Sequence, residues 1–98
     1  MSDFVVSHDL GQKEGTFTLV RGDSEIGRLE YVWDDEKTIR ATHTYIPVEY
    51  RGQSLGDYLF DALMVFVEEK DLKLIPECPY IKLKLERRKA REKAGDEV

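Results

Sequence analysis

The residues best placed to do chemistry form a short turn that holds two glycines and one arginine. The turn reads Arg51-Gly52-Gln53-Ser54-Leu55-Gly56. A helix that starts at such a turn presents backbone N–H groups without internal partners, together with the positive end of its dipole. These features favour a phosphate or pyrophosphate group, which the glycines allow to approach closely. The same residues also fit an ordinary turn in which Ser54 caps the helix.

A lone cysteine follows the turn at some distance. Cys78 opens a predicted helix, and a position at a helix start favours the thiolate form of cysteine. The neighbouring Glu77 would oppose thiolate formation if its carboxylate lies close to the sulfur. The alternative is that Cys78 is a small buried apolar residue. The sequence leaves both interpretations open.

Two histidines differ in their predicted surroundings. His43 could take a proton from an attacking amine, since its unperturbed pKa lies near neutral pH. It shares a predicted strand face with Ile39, Ala41 and Tyr45, which favours a half-buried, hydrogen-bonded histidine. His8 lies near a terminus, and we expect it at the surface.

Alternation of polar and apolar residues predicts four strands before the turn. They cover residues 4–8, 16–20, 26–33 and 38–46, and short polar turns join them into an antiparallel meander. In the third strand Leu29, Tyr31 and Trp33 share one face, and Gly27 is a candidate β-bulge. In the fourth strand Ile39, Ala41, His43 and Tyr45 share one face, and Thr42 and Thr44 share the other.

The hydrophobic period changes after Pro47. Apolar residues at helical spacing predict an amphipathic helix over 54–70, and 72–76 reads as a fifth strand. Strand, helix and strand then form a βαβ unit with parallel strands four and five. A last helix begins at 78–80, with an irregular end over 94–98. We therefore expect one α+β domain spanning 1–98, with a single mixed sheet of about five strands and two helices.

Composition limits the classes of function. The chain has 98 residues, 41% of them hydrophobic, and a single cysteine that excludes an internal disulfide. We expect a cytoplasmic protein without a membrane span or metal site, since no long apolar stretch or secretion signal is present. The net charge is −5, and the segment from Lys82 to Lys93 carries +5, which leaves −10 elsewhere. An acidic body argues against nucleic-acid binding.

The order of these motifs resembles the GNAT (N-acetyltransferase) superfamily. The strand residues THTYIP, the turn VEYRGQSLGDYL, a helix and then LKLIPECPYIKLKLER follow one another as in its small stand-alone members, often called YjdJ-like. That family's turn reads Arg/Gln-x-x-Gly-x-Gly/Ala, so Arg51 and Gly56 match, whereas Ser54 replaces the usual glycine. His43-Thr44 and the spaced residues Pro76, Cys78 and Tyr80 match two further motifs. The resemblance covers roughly residues 16–90.

The resemblance implies a cofactor and site residues. Acetyl-coenzyme A would lie where strands four and five diverge, with its pyrophosphate on the backbone of 51–56. Ile46 and Cys78 would complete the cofactor site. Tyr80 would donate a proton to the leaving coenzyme A thiolate, or else pack over the helix start. Longer relatives insert a helical pair between their first two strands, which helps to build the acceptor pocket, and this chain has no room for it.

The basic segment also has alternative interpretations. It is either a solvated helix face or the source of a cation for the ribose 3′-phosphate of coenzyme A, with Lys84, Arg87 and Arg88 as candidates. We expect an acetyltransferase with an unknown acceptor, in which His43, Cys78 and Tyr80 are catalytic. A non-catalytic acyl-coenzyme A sensor is the main alternative, and an interaction domain without cofactor is a third. The expected oligomeric state is a monomer or weak dimer.

Overall fold

The computed structural model of the chain describes residues 4–50 and 55–96. Five strands form one mixed sheet in the order β1-β2-β3-β4-β5. The strands are β1 (Phe4–Leu10), β2 (Glu14–Arg21), β3 (Ser24–Asp35), β4 (Thr38–Tyr45) and β5 (Lys73–Pro76). Two helices, α1 (Gly56–Lys70) and α2 (Pro79–Asp96), flank β5 in the chain. The first four strands pair antiparallel, whereas β4 and β5 pair parallel. The predicted α+β class, with a meander followed by a βαβ unit, is confirmed.

The first three strands are longer than predicted, whereas β4 and β5 are each one residue shorter. Asp9 and Leu10 extend β1, and Asp34 and Asp35 extend β3, because backbone pairing continues after the alternation of side chains has ended. Only three residues separate β1 from β2, so no helical pair lies between these strands. At the next hairpin Gly22 adopts a φ of +60°, a left-handed conformation that glycine takes without steric cost.

The hydrophobic core lies between one face of the sheet and the helices. Helix α1 packs over β1, β2 and β3, and it buries Leu59 and Leu63 completely. Leu29 and Tyr31 are fully buried opposite them, and Trp33 packs at the edge of the same core, as predicted for this strand face. Complete burial of one such side chain stabilises the fold by about 1.5–3 kcal/mol.

Helix α2 lies beside α1, on the same side of the sheet. Its Tyr80 hydroxyl sits against Gly56 in the first turn of α1. Farther along, Arg88 donates to the Glu68 carboxylate at 3.0 Å. The two helices therefore form one layer, and no helix of the described residues covers the opposite face. We call that opposite face, which carries Thr18, Arg28, Glu30 and their neighbours, the open face.

A β-bulge in β4 changes which side chains reach the core. Glu30 of β3 pairs with His43, and the next residue, Tyr31, pairs with Ala41, so Thr42 is the extra residue. Because one inserted residue shifts the period-2 alternation, side chains after the bulge exchange faces. The prediction that His43 and Tyr45 share a face with Ala41 is therefore wrong. Both side chains are exposed on the open face.

The bulge places Thr44 on the core face instead, since it pairs with the buried Leu29. A second register shift lies between Leu19 and Val20 of β2, where Ile26 is the extra residue of β3. It is adjacent to Gly27, the residue that suggested a bulge in the sequence.

Helix α1 begins without a side-chain cap and ends at a residue in the left-handed conformation. Helix α1 is preceded by Leu55, which makes no side-chain cap, and the candidate cap Ser54 lies outside the described residues. At the other end Asp71 adopts a φ of 55°, and its N–H donates to the carbonyls of Glu68 and Val67. Helix α2 continues through Asp96, although an irregular end was predicted from residue 94 onward.

None of the described helices is long and apolar enough to cross a bilayer.

His8 occupies a different environment from the one expected. Its ring stacks on Phe17 with centroids 3.9 Å apart and meets the edge of Phe66 at 4.6 Å. Its Nε2 and the Tyr31 hydroxyl are joined by a hydrogen bond of 2.7 Å. Burial lowers the pKa of His8, and a smaller effect of Asp9 opposes it. The expectation of a surface histidine is therefore wrong, because β1 turns this residue towards the core.

Candidate functional site

Strands β4 and β5 separate where the predicted motifs meet. They pair only from Thr38 to Ala41 on β4, although β4 continues to Tyr45. The Ala41 carbonyl accepts the last two hydrogen bonds, from the N–H of Glu77 at 3.0 Å and of Cys78 at 2.8 Å. Beyond this point the chain turns into α2. We call the opening between residues 42–45 of β4 and the start of α2 the fork.

Cys78 lies at the base of the fork. The residue is 6% exposed, and its Sγ donates to the Thr44 Oγ1 at 3.5 Å. The bulge at Thr42 makes this contact possible, because it turns Thr44 towards the core side of the sheet. The burial matches the interpretation of Cys78 as a small apolar residue. Its position beside a strand edge without a β5 partner also suits a residue that lines a ligand channel.

An ion-pair cluster on the open face holds Glu77 beside β4. The Arg40 guanidinium contacts the Glu77 carboxylate at 3.2 Å and the Asp34 carboxylate at 2.9 Å. These two carboxylates raise the pKa of Arg40, with Asp34 as the larger cause. Arg40 Nε is buried without a hydrogen-bond partner among the described residues. Sequence reasoning did not find this cluster, because Arg40 and Glu77 are distant in the chain and only the parallel register brings them together.

His43 lies on the other side of the sheet from Cys78. Its side chain is exposed, and its cross-strand neighbour is Glu30. The half-buried, hydrogen-bonded histidine favoured by the sequence is not found. The structure therefore does not bring His43 and Cys78 together as a thiol–imidazole pair, since β4 separates them.

Tyr80 packs over the start of α1. A Cβ atom added to Gly56 would lie only 1.9 Å from the Tyr80 hydroxyl oxygen, so the hydroxyl occupies the space that the glycine leaves. Burial raises the pKa of Tyr80, whereas the nearby Arg87 lowers it and Cys78 raises it further. The hydroxyl therefore stays protonated at neutral pH, as a proton donor requires.

The predicted anion-binding turn is only partly in view. Arg51, Gly52, Gln53 and Ser54 lie outside the described residues. Leu55 is 5% exposed and anchors the start of α1 in the core, and Gly56 begins the helix. Ile46, one residue beyond β4, is half-buried and packs against the core. Ile46 directly follows the end of β4, and Gly56 contacts Tyr80 at the start of α2, so both residues lie next to the fork.

The candidate cations of α2 are not equivalent. Lys84 pairs with Asp57 in the first turn of α1, and its ammonium lies 5.6 Å from the centre of the Tyr80 ring. Arg88 pairs with Glu68. Arg87 is exposed, and no carboxylate of the described residues forms an ion pair with it.

Two depressions on the surface formed by the described residues lie away from the fork or at its rim. One of about 510 Å³ lies between the turn at 11–13 and the end of β3 at 33–36, at the opposite end of β4 from the fork. A smaller one, about 280 Å³, lies beside Tyr45 and Pro47 where β4 ends. Among the described residues no His, Cys, Asp and Glu side chains gather in a group that could hold a metal ion.

Comparison with known proteins finds one matching family model and several solved structures with a similar fold. A family model described as GCN5-related N-acetyl-transferase matches residues 16–94. No curated protein sequence matches the chain. Among solved structures, a GCN5-like putative N-acetyltransferase from Staphylococcus aureus is similar at 25% identity and a TM-score of 0.68. The similarity covers 94% of this chain and 87% of that one.

Longer proteins share the fold at lower identity. The aminoglycoside acetyltransferase AAC(6')-Iy, in complex with the bisubstrate analogue CoA-S-monomethyl-acetylneamine, is 11% identical with a TM-score of 0.58. A ribosomal-protein-alanine N-acetyltransferase from Brucella melitensis biovar Abortus 2308 is 18% identical with a TM-score of 0.61. The similarity covers 82% and 80% of this chain, but only 61% and 62% of those two proteins.

Proposed function

Because the chain belongs to the GCN5-related N-acetyltransferase family, we propose that it binds acetyl-coenzyme A in the fork and transfers the acetyl group to an amine. One observation carries this proposal: β4 continues past its last contact with β5, so a strand edge is left beside the start of α2. An amide-containing chain such as pantetheine can bind to such an edge. The free N–H groups of a helix start suit a pyrophosphate.

The residues around the fork fit this ligand. The backbone of 51–56 would hold the pyrophosphate, with Arg51, Gly52, Gln53 and Ser54 as proposed contacts next to Leu55 and Gly56. Ile46 and Cys78 would line the channel that leads to the thioester. A backbone N–H of β4 would polarise the acetyl carbonyl, in the manner of an oxyanion hole. The placing of these groups supplies most of the rate in a reaction of this type.

The reaction needs one base and one acid. The nitrogen of a neutral amine attacks the acetyl carbonyl carbon, and the bond from that carbon to the coenzyme A sulfur breaks. His43 accepts the proton that the amine loses, and its exposed position lets the acceptor approach from the open face. Tyr80, whose raised pKa keeps its hydroxyl protonated, returns a proton to the departing thiolate. Both groups then re-equilibrate with solvent.

Cys78 serves better as a channel wall than as a nucleophile. It is buried, and the described residues place no imidazole or amine base beside its sulfur. Direct transfer from acetyl-coenzyme A to the amine is therefore the proposed route, rather than transfer through an acetylated Cys78.

The experiment is a thiol-release assay with acetyl-coenzyme A and a panel of small amines and peptides. We expect release above background with at least one class of amine, and a loss of about 10²-fold or more for His43→Gln. Thr18→Ala, on the same open face two strands away, should leave the rate unchanged. Binding of acetyl-coenzyme A without release for any amine would favour the sensor function instead.

Cys78→Ala distinguishes the two chemical routes. We expect this variant to keep most of the turnover. For the wild type we expect intersecting lines in double-reciprocal plots of the initial rate, which indicate direct transfer within a ternary complex. Complete loss of transfer with unchanged cofactor affinity, together with ping-pong kinetics, would make Cys78 the first acetyl acceptor. A mass shift of one acetyl group on the wild type but not on the variant would support the same conclusion.

A titration followed by amide NMR shifts tests the cofactor site. We expect the amides of Leu55 and Gly56 to shift first when acetyl-coenzyme A is added. Binding that leaves these amides unchanged would refute the assignment of the site. Membership of the YjdJ-like subgroup, a cytoplasmic location and a monomeric or weakly dimeric state remain part of the proposal.

A further inference from the structure

Strand β1 forms one edge of the sheet and lacks the features that usually protect such an edge. Among the described residues β1 pairs only with β2, and all seven of its residues pair without a register shift. Proteins commonly protect an edge with lysine, proline, a bulge or a very short strand. β1 has none of these, whereas β5 at the other edge has four residues and ends at Pro76. The edge of β1 can therefore accept a further strand.

Exposed apolar side chains lie near both ends of this edge. Val5 is 64% exposed and Leu10 is 62% exposed. The rings of Phe4 and Tyr58 are 5.6 Å apart, so the exposed Tyr58 of α1 stands beside the end of β1 that is farther from Leu10. A single copy of the chain thus exposes an aliphatic group at one end of the strand and an aromatic group at the other.

Helix α1 extends this apolar surface above the edge. Tyr58, Ala62 and Val65 are spaced i, i+4 and i+7, so they form one stripe along the helix. The contact of Tyr58 with Phe4 places the stripe on the flank of α1 next to β1. The other flank faces α2, where Asp57 forms an ion pair. Because Tyr58 and Val65 are exposed, the strand and the helix together offer a surface that suits an apolar partner.

The two ends of β1 complement each other in a pair of copies. A two-fold axis at Ser7 pairs two β1 strands antiparallel and matches all seven residues of each, whereas an axis at any other residue matches fewer. Leu10 then lies opposite the partner's Phe4 and next to the partner's Tyr58. Because the axis is two-fold, both exposed Leu10 side chains are covered in the same way.

The charges of β1 are compatible with the same register. Asp9 lies opposite the partner's Val5, so two carboxylates do not oppose each other, as they would with an axis at Asp9 itself. Val6 and His8 both lie on the core face, and each faces the other residue in the partner. The apolar layer of one copy therefore continues into the next across the junction.

We propose that two copies of the chain pair through β1 about a two-fold axis at Ser7, and that they form one continuous sheet from the five strands of each copy. The axis is perpendicular to the sheet, so the open faces of both copies lie on the same side. The fork lies beside β4 and β5, at the far end of the sheet, so the pairing does not involve the cofactor site. Two seven-residue strands and two short apolar stripes make a small interface, and the dimer is accordingly weak.

Sedimentation equilibrium tests the interface. The apparent mass should rise from 11.4 kDa towards twice that value between roughly 10 µM and 1 mM protein. Leu10→Lys places a charge opposite the partner's Phe4 in both halves of the dimer, and it should raise the dissociation constant about tenfold or more. Leu83→Lys is the matched control, because Leu83 is an exposed leucine of α2, which lies on the other flank of α1 from β1.

The control variant should dimerise like the wild type. A constant mass of 11.4 kDa over the whole concentration range would overturn the proposal. A dimer that Leu10→Lys does not weaken, or that Leu83→Lys weakens equally, would overturn the assignment of the interface to β1.

Disulfide cross-linking tests the register. In Ser7→Cys the two new thiols lie opposite each other, with Cα atoms about 4.5–5.5 Å apart, which permits a disulfide. In Val5→Cys the two cysteines are offset by about 13 Å along the strands, which prevents one. Mild oxidation should therefore give a covalent dimer with Ser7→Cys alone, since the native Cys78 is buried. A covalent dimer of Val5→Cys, or of neither variant, would refute the axis at Ser7.

Discussion

The contact between Gly56 and Tyr80 gives a quantitative prediction for Gly56→Ala. The new methyl carbon would lie 1.9 Å from the Tyr80 hydroxyl oxygen and 2.6 Å from the ring carbon that bears it. Real contacts of a Cβ are at least 3.0 Å long, so the hydroxyl must move by about 1.1 Å or more. Forced rearrangement of this kind costs about 1–3 kcal/mol.

The higher helix propensity of alanine changes the free energy of unfolding in the opposite direction. Alanine is favoured over glycine in a helix interior by up to about 1 kcal/mol, and by less in the first turn where Gly56 lies. The two contributions leave a net destabilisation of about 1–2 kcal/mol for Gly56→Ala. For a domain of this size that corresponds to a fall of several degrees in Tm, at about 4–8 °C per kcal/mol.

A double-mutant cycle separates the two contributions. In a Tyr80→Ala background the obstructing ring is absent, so Gly56→Ala should be neutral or slightly stabilising. The coupling energy from urea unfolding should be about 2 kcal/mol, within the range measured for residues in contact. An equal effect of Gly56→Ala in both backgrounds would show that Tyr80 does not occupy this space.

Two further predictions concern stability. Because burial holds the folded-state pKa of His8 below its usual 6.5, the unfolded chain binds the proton more readily, so stability is full above about pH 6.5 and falls as the pH drops through the folded-state pKa. Urea midpoints between about pH 5 and 8 should show this decline in the wild type but not in His8→Phe, and a slope that persists in the variant would contradict it. Asp71→Gly should raise the free energy of unfolding by up to about 1 kcal/mol, since Asp71 has a positive φ that glycine adopts without strain. Asp71→Ala should not be stabilising. Calorimetry should therefore give a higher Tm for Asp71→Gly than for Asp71→Ala, and equal Tm values would contradict the prediction.

Much of the fold could be predicted from the sequence because its patterns are local. The alternation in Leu29, Tyr31 and Trp33 depends only on neighbouring residues, and the sheet buries that face as predicted. The change from a period of two to a period of 3.6 after Pro47 marks the strand–helix–strand unit equally well. The parallel pairing of β4 and β5 then follows from the short connections.

The faces of β4 could not be predicted, because a bulge leaves no clear signal in residue types. Residues 38–46 alternate without interruption in the sequence, yet the extra residue Thr42 moves His43 to the open face and Thr44 to the core face. The bulge depends on pairing with β3, which the sequence of β4 does not contain. An error of one residue thus changed the predicted environment of two candidate site residues.

The prediction of a surface position for His8 was wrong for a related reason. Its position near the N-terminus suggested exposure, whereas its partners Phe17, Tyr31 and Phe66 come from three other elements. Only the register of β1 on β2 sets His8 opposite Phe17. The pairing of Arg40 with Glu77 depends in the same way on the register of β5.

The order of strands in the sheet has a consequence for folding. Neighbours in the sheet from β1 to β4 are also neighbours in the chain, so each hairpin closes a short loop at a small entropic cost. The pairing of β4 with β5 must instead close the long segment that contains α1, and it is only four residues long on each strand. This seam should therefore open most readily in native-state hydrogen exchange, while the three hairpins stay protected. A ligand bound to both β4 and β5 would therefore stabilise the pair of strands that is expected to be the least stable in the sheet.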